Sequence, residues 1–344
     1  MCTSIAVNKK KTIIGWNLDL LDMEHRVRPT PDGVYIEIRD AKEGWMPLFG
    51  ANARGDFVGM PTCWPYDARS DPAAGSENVI LLDIDLLLQK KTLREVRELA
   101  ERRPVRSEPG VTFMAALSDA AGNILHIVPG QGCRYYERPD YAILTNFSPF
   151  KGDSEKHPWM GLDRYQKAEA MLREASENFD VADCFAVLRA VAQTVCPTVV
   201  SMVFDVRERT VYWCEDRNWD NIRTVKLERS PRMKDFIAYC GLDCETCEAR
   251  IATVNGDDAL REKVAKLWSE LNGAEITPEM INCAGCRVEG VKTPYCDKLC
   301  PIRQCALSRR VETCGSCSEM ETCEKVGMIL GNNAEARRNL AEAQ

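Results

Sequence analysis

Eleven of the seventeen cysteines in this 344-residue chain fall after residue 230. A segment that short and that rich in thiols has little apolar surface to bury, so it needs a staple beyond a hydrophobic core. The first 230 residues hold the other six, Cys2, Cys63, Cys133, Cys184, Cys196 and Cys214, with no ligand-like spacing. The step predicts a first domain over 2–230, a Cys-rich domain over 231–330 and a polar tail over 331–344, jointed near Ser230-Pro231.

The late cysteines come in four groups. Cys240, Cys244 and Cys247 are spaced C-x3-C-x2-C, Cys283 and Cys286 C-x2-C, Cys296, Cys300 and Cys305 C-x3-C-x4-C, and Cys314, Cys317 and Cys323 C-x2-C-x5-C. No histidine follows His157, so any metal site there is all-thiolate. A C-x2-C turn puts two sulfurs on one ion, and two such pairs complete a tetrahedron. Eleven thiols allow two four-thiolate sites with three left over. Zinc is the first choice and an iron–sulfur cluster the second. The first triplet also has the spacing of a radical-SAM cluster, but too few residues remain for the barrel that chemistry needs. A structural metal knuckle without catalysis is the plain reading, and disulfides are the reading under oxidising conditions. An amphipathic helix is predicted over Asp257–Leu271, capped by Asp257 or Asp258.

The net charge of −7 comes without a basic stripe, which argues against nucleic acid as a partner. No apolar run reaches the 18 residues of a membrane span. The opening Cys2–Val7 is too short for the apolar region of a signal peptide, and Lys9–Lys11 follow rather than precede it. A cytoplasmic location without membrane contact is expected, and homo-oligomerisation is left open.

The first domain reads as many strands, a helix, more strands, two helices, then strands. Ser4–Val7 and Thr12–Trp16 predict a hairpin around Lys9–Lys11. Gly33–Arg39 alternates strictly, and Phe49–Pro61 reads as strand, Asn/Gly turn, strand. In the helix Thr92–Arg102, Thr92 and Glu95 have the spacing of a capping box. Val111–Val128 predicts a hairpin around Ala121-Gly122-Asn123, Tyr141–Phe150 a strand, Asp163–Glu177 and Val181–Val195 helices, and Thr198–Cys214 a further hairpin. The class is α+β, with helices covering antiparallel sheets.

Cys2 stands directly behind Met1 at the start of an apolar strand. Asp19 ends the paired strand, within "GWNLD" (Gly15–Asp19), and so returns to the same end of the sheet. "LTN" (Leu144–Asn146) ends a later strand, and "GLDRY" (Gly161–Tyr165) opens a helix. With "ANARG" (Ala51–Gly55), these motifs in this order resemble the choloylglycine hydrolase superfamily. That N-terminal-nucleophile group contains penicillin V acylases, bile salt hydrolases and acid-ceramidase-like amidases. The resemblance covers about 2–228 and implies a four-layer αββα sandwich that hydrolyses linear amides, or transfers their acyl groups, without a cofactor. It implies that Met1 is removed, that Cys2 is the nucleophile and that Asp19 holds its α-amine. It further implies an oxyanion donor in Asn146 and an organising charge in Arg164. An α-amine of pKa about 7.7–8.0 can serve as the base for the thiol.

Two departures point away from bile salts. Bile-salt members carry Arg where this chain has Trp16, and a second family Asn falls near Pro61-Thr62, with Asn52 or Thr62 as substitutes. Trp16, Asn52, Met60, Thr62, Trp64 and Phe147 are the candidate pocket residues, for a small-molecule amide with an apolar acyl group; for the apolar ones the alternative is plain core. His25, His126 and His157 read as structural. The alternatives to an amidase are a catalytically silent ligand-binding relative, or a metal- or redox-sensing module carried by the Cys-rich part. That part resembles a widespread Cys-rich domain of bacteria and archaea whose role is unknown. Cys240–Cys247, Ile281–Cys286 and Cys305–Cys317 carry the match.

Overall fold

The computed structural model describes residues 1–64, 75–152, 156–228 and 235–342. Ser230-Pro231 and the end of the Pro61–Asp67 loop lie outside the described residues. The chain divides into two units, Met1–Glu228 and Arg229–Gln344.

The strands of the first unit are β1 (Cys2–Asn8), β2 (Thr12–Asp19), β3 (His25–Thr30), β4 (Gly33–Asp40), β5 (Gly44–Asn52), β6 (Phe57–Gly59), β7 (Glu77–Asn78) and β8 (Val105–Arg106). They continue as β9 (Ala115–Ser118), β10 (Ile124–Val128), β11 (Gly132–Tyr136), β12 (Tyr141–Leu144), β13 (Thr198–Asp205), β14 (Thr210–Glu215) and β15 (Arg223–Lys226). Its helices are α1 (Val79–Leu87), α2 (Leu93–Arg102), α3 (Leu162–Arg173) and α4 (Val181–Ala190).

Two antiparallel sheets result. One runs β12-β1-β2-β13-β14-β15 and the other β11-β10-β9-β6-β5-β4-β3, while β7 and β8 form a short parallel pair. The sheets face each other through Ile14, Trp16 and Leu18 of the first and Val34, Ile36 and Phe49 of the second. The outer face of the first sheet carries Ile5, Val7 and Val203 against Ala168 and Leu172 of α3 and Leu188 of α4. The outer face of the second carries Tyr35, Leu117 and Leu125 against Leu82 and Leu86 of α1 and Val96 of α2. The order of layers is helix, sheet, sheet, helix. This explains why strands that alternate apolar and polar residues are buried on both sides. Glu37, for example, is buried on β4 because Arg26 and Arg28 each donate to it at 2.6 Å.

Thr92 caps α2 with the full capping box, its side chain accepting from Glu95 N and the Glu95 side chain accepting from Thr92 N. α3 and α4 end several residues earlier than their sequence patterns suggest, at Arg173 and Ala190.

The second unit is built of short helices, Glu248–Asn255, Asp258–Asn272, Pro301–Arg309, Glu324–Leu330 and Ala334–Glu342. Asp257 caps the longest, accepting from Leu260 N at 2.9 Å. Its apolar clusters are small, one around Ala252, Leu260, Val264 and Ile281, another around Val326, Leu330, Ala336 and Leu340. The segment expected as a polar tail is corrected here. Helix Ala334–Glu342 buries Ala336 and Leu340, four residues apart, and the polar Asn339, whose Nδ2 donates to Gly241 O at 2.8 Å. No described helix is long and apolar enough to cross a membrane.

Candidate functional site

β1 and β2 pair so that Cys2 lies opposite Leu18, which puts Asp19 one residue beyond it at the same sheet end. β12 pairs with the other side of β1, Leu144 opposite Ser4, so the chain leaving β12 delivers Asn146 to the Cys2 main chain. α3 then brings Arg164 to the same point from the outer face. All four residues are buried.

The hydrogen bonds are specific. Asn146 Oδ1 accepts from Cys2 N at 3.0 Å and from Arg164 Nη2 at 2.7 Å. Arg164 Nη1 donates to Cys2 O and to Thr3 Oγ1, both at 2.7 Å. Asn146 Nδ2 donates to Thr62 O at 2.7 Å and Thr62 Oγ1 at 3.0 Å. Two donors on one side of the amide and a carbonyl on the other fix which atom is oxygen.

Asp19 is held apart from this triangle. Its Oδ1 accepts from Thr198 Oγ1 at 2.6 Å and its Oδ2 from Gln193 Nε2 at 2.5 Å, with Arg164 Nη1 3.9 Å away. The Met1 amine donates to Asp19 O at 3.1 Å and lies 3.8 Å from Cys196 Sγ. With Met1 in place Cys2 N is a peptide nitrogen, and it meets the Asn146 carbonyl; the resemblance implied Asp19 as the holder of the α-amine that Met1 removal would free. The Asn146 N–H groups, which the resemblance implied as an oxyanion donor, both donate to Thr62 here.

Burial dominates the electrostatics. It pushes the Cys2 thiol up to about 11, with the Met1 amine pulling the other way and Asp19 adding to the rise. Burial also raises the Asp19 carboxyl to about 6, against the hydrogen bond from Thr198, the charge of Arg164 and the hydrogen bond from Gln193. A neutral buried thiol needs a base before it can attack.

The candidate pocket residues separate. Thr62 bonds Asn146, and Trp64 N donates to Asn146 O at 2.7 Å. Phe147 follows Asn146 and packs on Tyr165 of α3. Trp16, in contrast, belongs to the core between the sheets. It is fully buried and stacked on Phe49 at 5.5 Å, so close to Gly59 that a Cβ there would lie 2.6 Å from its ring. Met60 packs in the same core. Asn52 is a structural tie: its Nδ2 donates to Asp56 Oδ2 and to the Leu86 and Leu87 carbonyls at the end of α1, and its Oδ1 accepts from Asp56 N.

The sequence reading missed three polar partners. Thr3 and Thr198 could have been found from strand register, since Thr198 lies opposite Asp19 across the β2–β13 pair. Gln193 had no signal, because it sits in the irregular chain after α4. His126 is buried on β10 against Tyr136, with burial lowering it to about 4, as befits a core imidazole.

In the second unit the eleven cysteines divide between two cavities. The seven from Cys240 to Cys300 line one of about 400 Å³, and Cys305, Cys314, Cys317 and Cys323 line another of about 260 Å³. Among the described residues, no three His, Cys, Asp or Glu side chains stand in position to hold one ion without moving.

A family described as "Protein of unknown function (DUF3795)" matches residues 236–328. No match was found among curated protein sequences. Among solved structures, the chain is similar to conjugated bile acid hydrolase from Clostridium perfringens at 15% identity, covering 66% of this chain and 92% of that one, with a TM-score of 0.49. It is similar to penicillin V acylase from Agrobacterium tumefaciens at 14% identity, covering 66% and 86%, with a TM-score of 0.46. A Caenorhabditis elegans ortholog of N-acylethanolamine-hydrolyzing acid amidase matches at 18% identity, covering 60% and 93%, with a TM-score of 0.40.

Proposed function

We propose that the first unit is an N-terminal-nucleophile amidase that cleaves linear C–N amide bonds through Cys2, once Met1 has been removed. The observation that carries this reading is the convergence of Asn146 Oδ1 and the Arg164 guanidinium on the Cys2 main chain. Loss of Met1 turns the Cys2 amide into an α-amine. Asn146 Oδ1 then accepts one of its hydrogens and fixes the direction of its lone pair. The buried guanidinium disfavours a second cation beside it and so keeps that amine neutral.

The neutral amine takes the proton from Sγ as the Sγ–C bond forms on the substrate carbonyl. The resulting oxyanion needs a fixed N–H donor. Asn146 Nδ2 can supply one by releasing Thr62 Oγ1, the longer of its two contacts. The proton passes to the leaving nitrogen, the C–N bond breaks and an acyl thioester remains on Cys2. Water then releases the acid, or an acceptor amine takes the acyl group. The apolar Phe147 and Trp64 beside Asn146 suit an apolar acyl chain on a small-molecule amide.

A second reading, a ligand-binding relative without catalysis, is favoured by one observation: both Asn146 N–H groups are already engaged by Thr62. Cys2→Ser separates the two. The amidase reading expects hydrolysis of N-acyl amides by the wild type and its loss in the folded variant. Hydrolysis that survives the substitution removes Cys2 as the nucleophile, and a folded, Met1-free wild type inert to a broad amide panel supports the second reading.

A further inference from the structure

We infer that Cys305, Cys314, Cys317 and Cys323 form a self-contained four-thiolate site for one zinc-class divalent ion, separate from the other seven cysteines. The inference does not depend on the amidase reading of the first unit.

Four observations carry it. First, these four, and none of the seven earlier cysteines of this unit, line the cavity of about 260 Å³. Four sulfurs are the complement of a closed tetrahedral site.

Second, each sulfur is presented by a short defined element. Cys305 lies within helix Pro301–Arg309. Cys314 and Cys317 bracket a tight turn in which Cys317 N donates to Cys314 O at 3.1 Å, the C-x2-C geometry that chelates a single ion. Cys323 sits at the N-terminus of helix Glu324–Leu330, where Gly327 N donates to its carbonyl at 2.9 Å.

Third, Arg309 lines the cavity and donates from Nη1 to Cys317 Sγ at 3.6 Å, while its Nη2 donates to Glu319 at 2.8 Å. A guanidinium held on sulfur suits a thiolate, and such outer contacts orient metal ligands.

Fourth, the adjoining apolar cluster is small, with Val326, Leu330, Ala336 and Leu340 at its centre. Folding of these elements therefore has much to gain from a bound ion. Among the described residues no three ligands already stand in position around one ion, so binding would have to draw these sulfurs in to about 2.3 Å from it.

The test uses the full chain. Zinc content per chain is measured for wild type, Cys314→Ser, Cys323→Ser and the double variant. A shared site predicts that each single variant loses one ion and that the double variant loses the same ion and no more. Should a variant fail to fold, cysteine alkylation mapped by mass spectrometry on the wild type decides. Zinc should protect all four thiols together, and chelator should release them together. The inference is overturned if the double variant loses two ions or none, if the four thiols are protected in different sets, or if they are protected by iron and sulfide.

Discussion

The side-chain oxygen of Asn146 lies 3.0 Å from the Cys2 nitrogen and 2.7 Å from Arg164 Nη2, so one buried carbonyl joins the Cys2 main chain to the Arg164 guanidinium. Asn146→Ala leaves both donors without that acceptor. Stranding them should cost about 1–3 kcal/mol of stability. Misplacing the amine should lower kcat/KM by on the order of 10²-fold. Urea unfolding and amide hydrolysis, run on the same preparations, check both. Loss of stability with wild-type hydrolysis would leave Asn146 a structural role only.

Asp19 makes stability depend on pH in a defined direction. Burial raises its carboxyl to about 6 in the folded chain, above the ordinary 3.8. Between those values the folded state binds more protons than the unfolded state, so stability falls as pH rises from about 4 to 6. Other buried carboxyls, Asp83 foremost, add slopes of the same sign. The diagnostic quantity is therefore the difference between wild type and Asp19→Asn. The variant should show a shallower decline across that window. Parallel stability curves would remove Asp19 from the account.

An arginine in place of Trp16 should destabilise the first unit without improving amide hydrolysis. Trp16 is fully buried between the sheets and packed on Phe49 and Gly59. Trp16→Arg loses that packing and buries a guanidinium in an apolar core cluster, a cost of at least about 3–5 kcal/mol. The measurement is the urea midpoint. A variant as stable as wild type and faster on amides would place this side chain in the pocket after all.

Thr92→Ala removes one half of the capping box of α2 and should cost about 1 kcal/mol. Hydrolysis should be unchanged, since α2 lies on the face of the second sheet away from Cys2. A thermal midpoint equal to wild type would mean that α2 adds nothing to the cooperative unit.

That capping box was legible because both its partners lie within four residues. The hairpins were legible for the same reason: β1 with β2 and β13 with β14 pair across short turns. Helix α1 was not, because "VILLDIDLL" is apolar almost all round and shows no period to separate helix from buried strand. That the four candidate residues share one sheet end was legible; their atomic contacts were less so. Cys2, Asp19, Asn146 and Arg164 do meet at one sheet end. Which atom of Asn146 faces Cys2, however, depends on Arg164 and Thr62, which lie far from Asn146 in the chain. The division of the late cysteines into four and seven was hidden for a related reason. The segment Tyr295–Cys305 contributes to both cavities, so sequence groups do not map one to one onto cavities.

The most direct test of the central claim is the intact mass of the untagged protein, acid-quenched during turnover of an N-acyl amide. The account predicts a chain lacking Met1 that carries the mass of the acyl group, with the adduct mapped to Cys2 and absent from Cys2→Ala. A chain that keeps Met1 in a host with active methionine aminopeptidase, or one that turns over substrate with the acyl group on another residue, would contradict it.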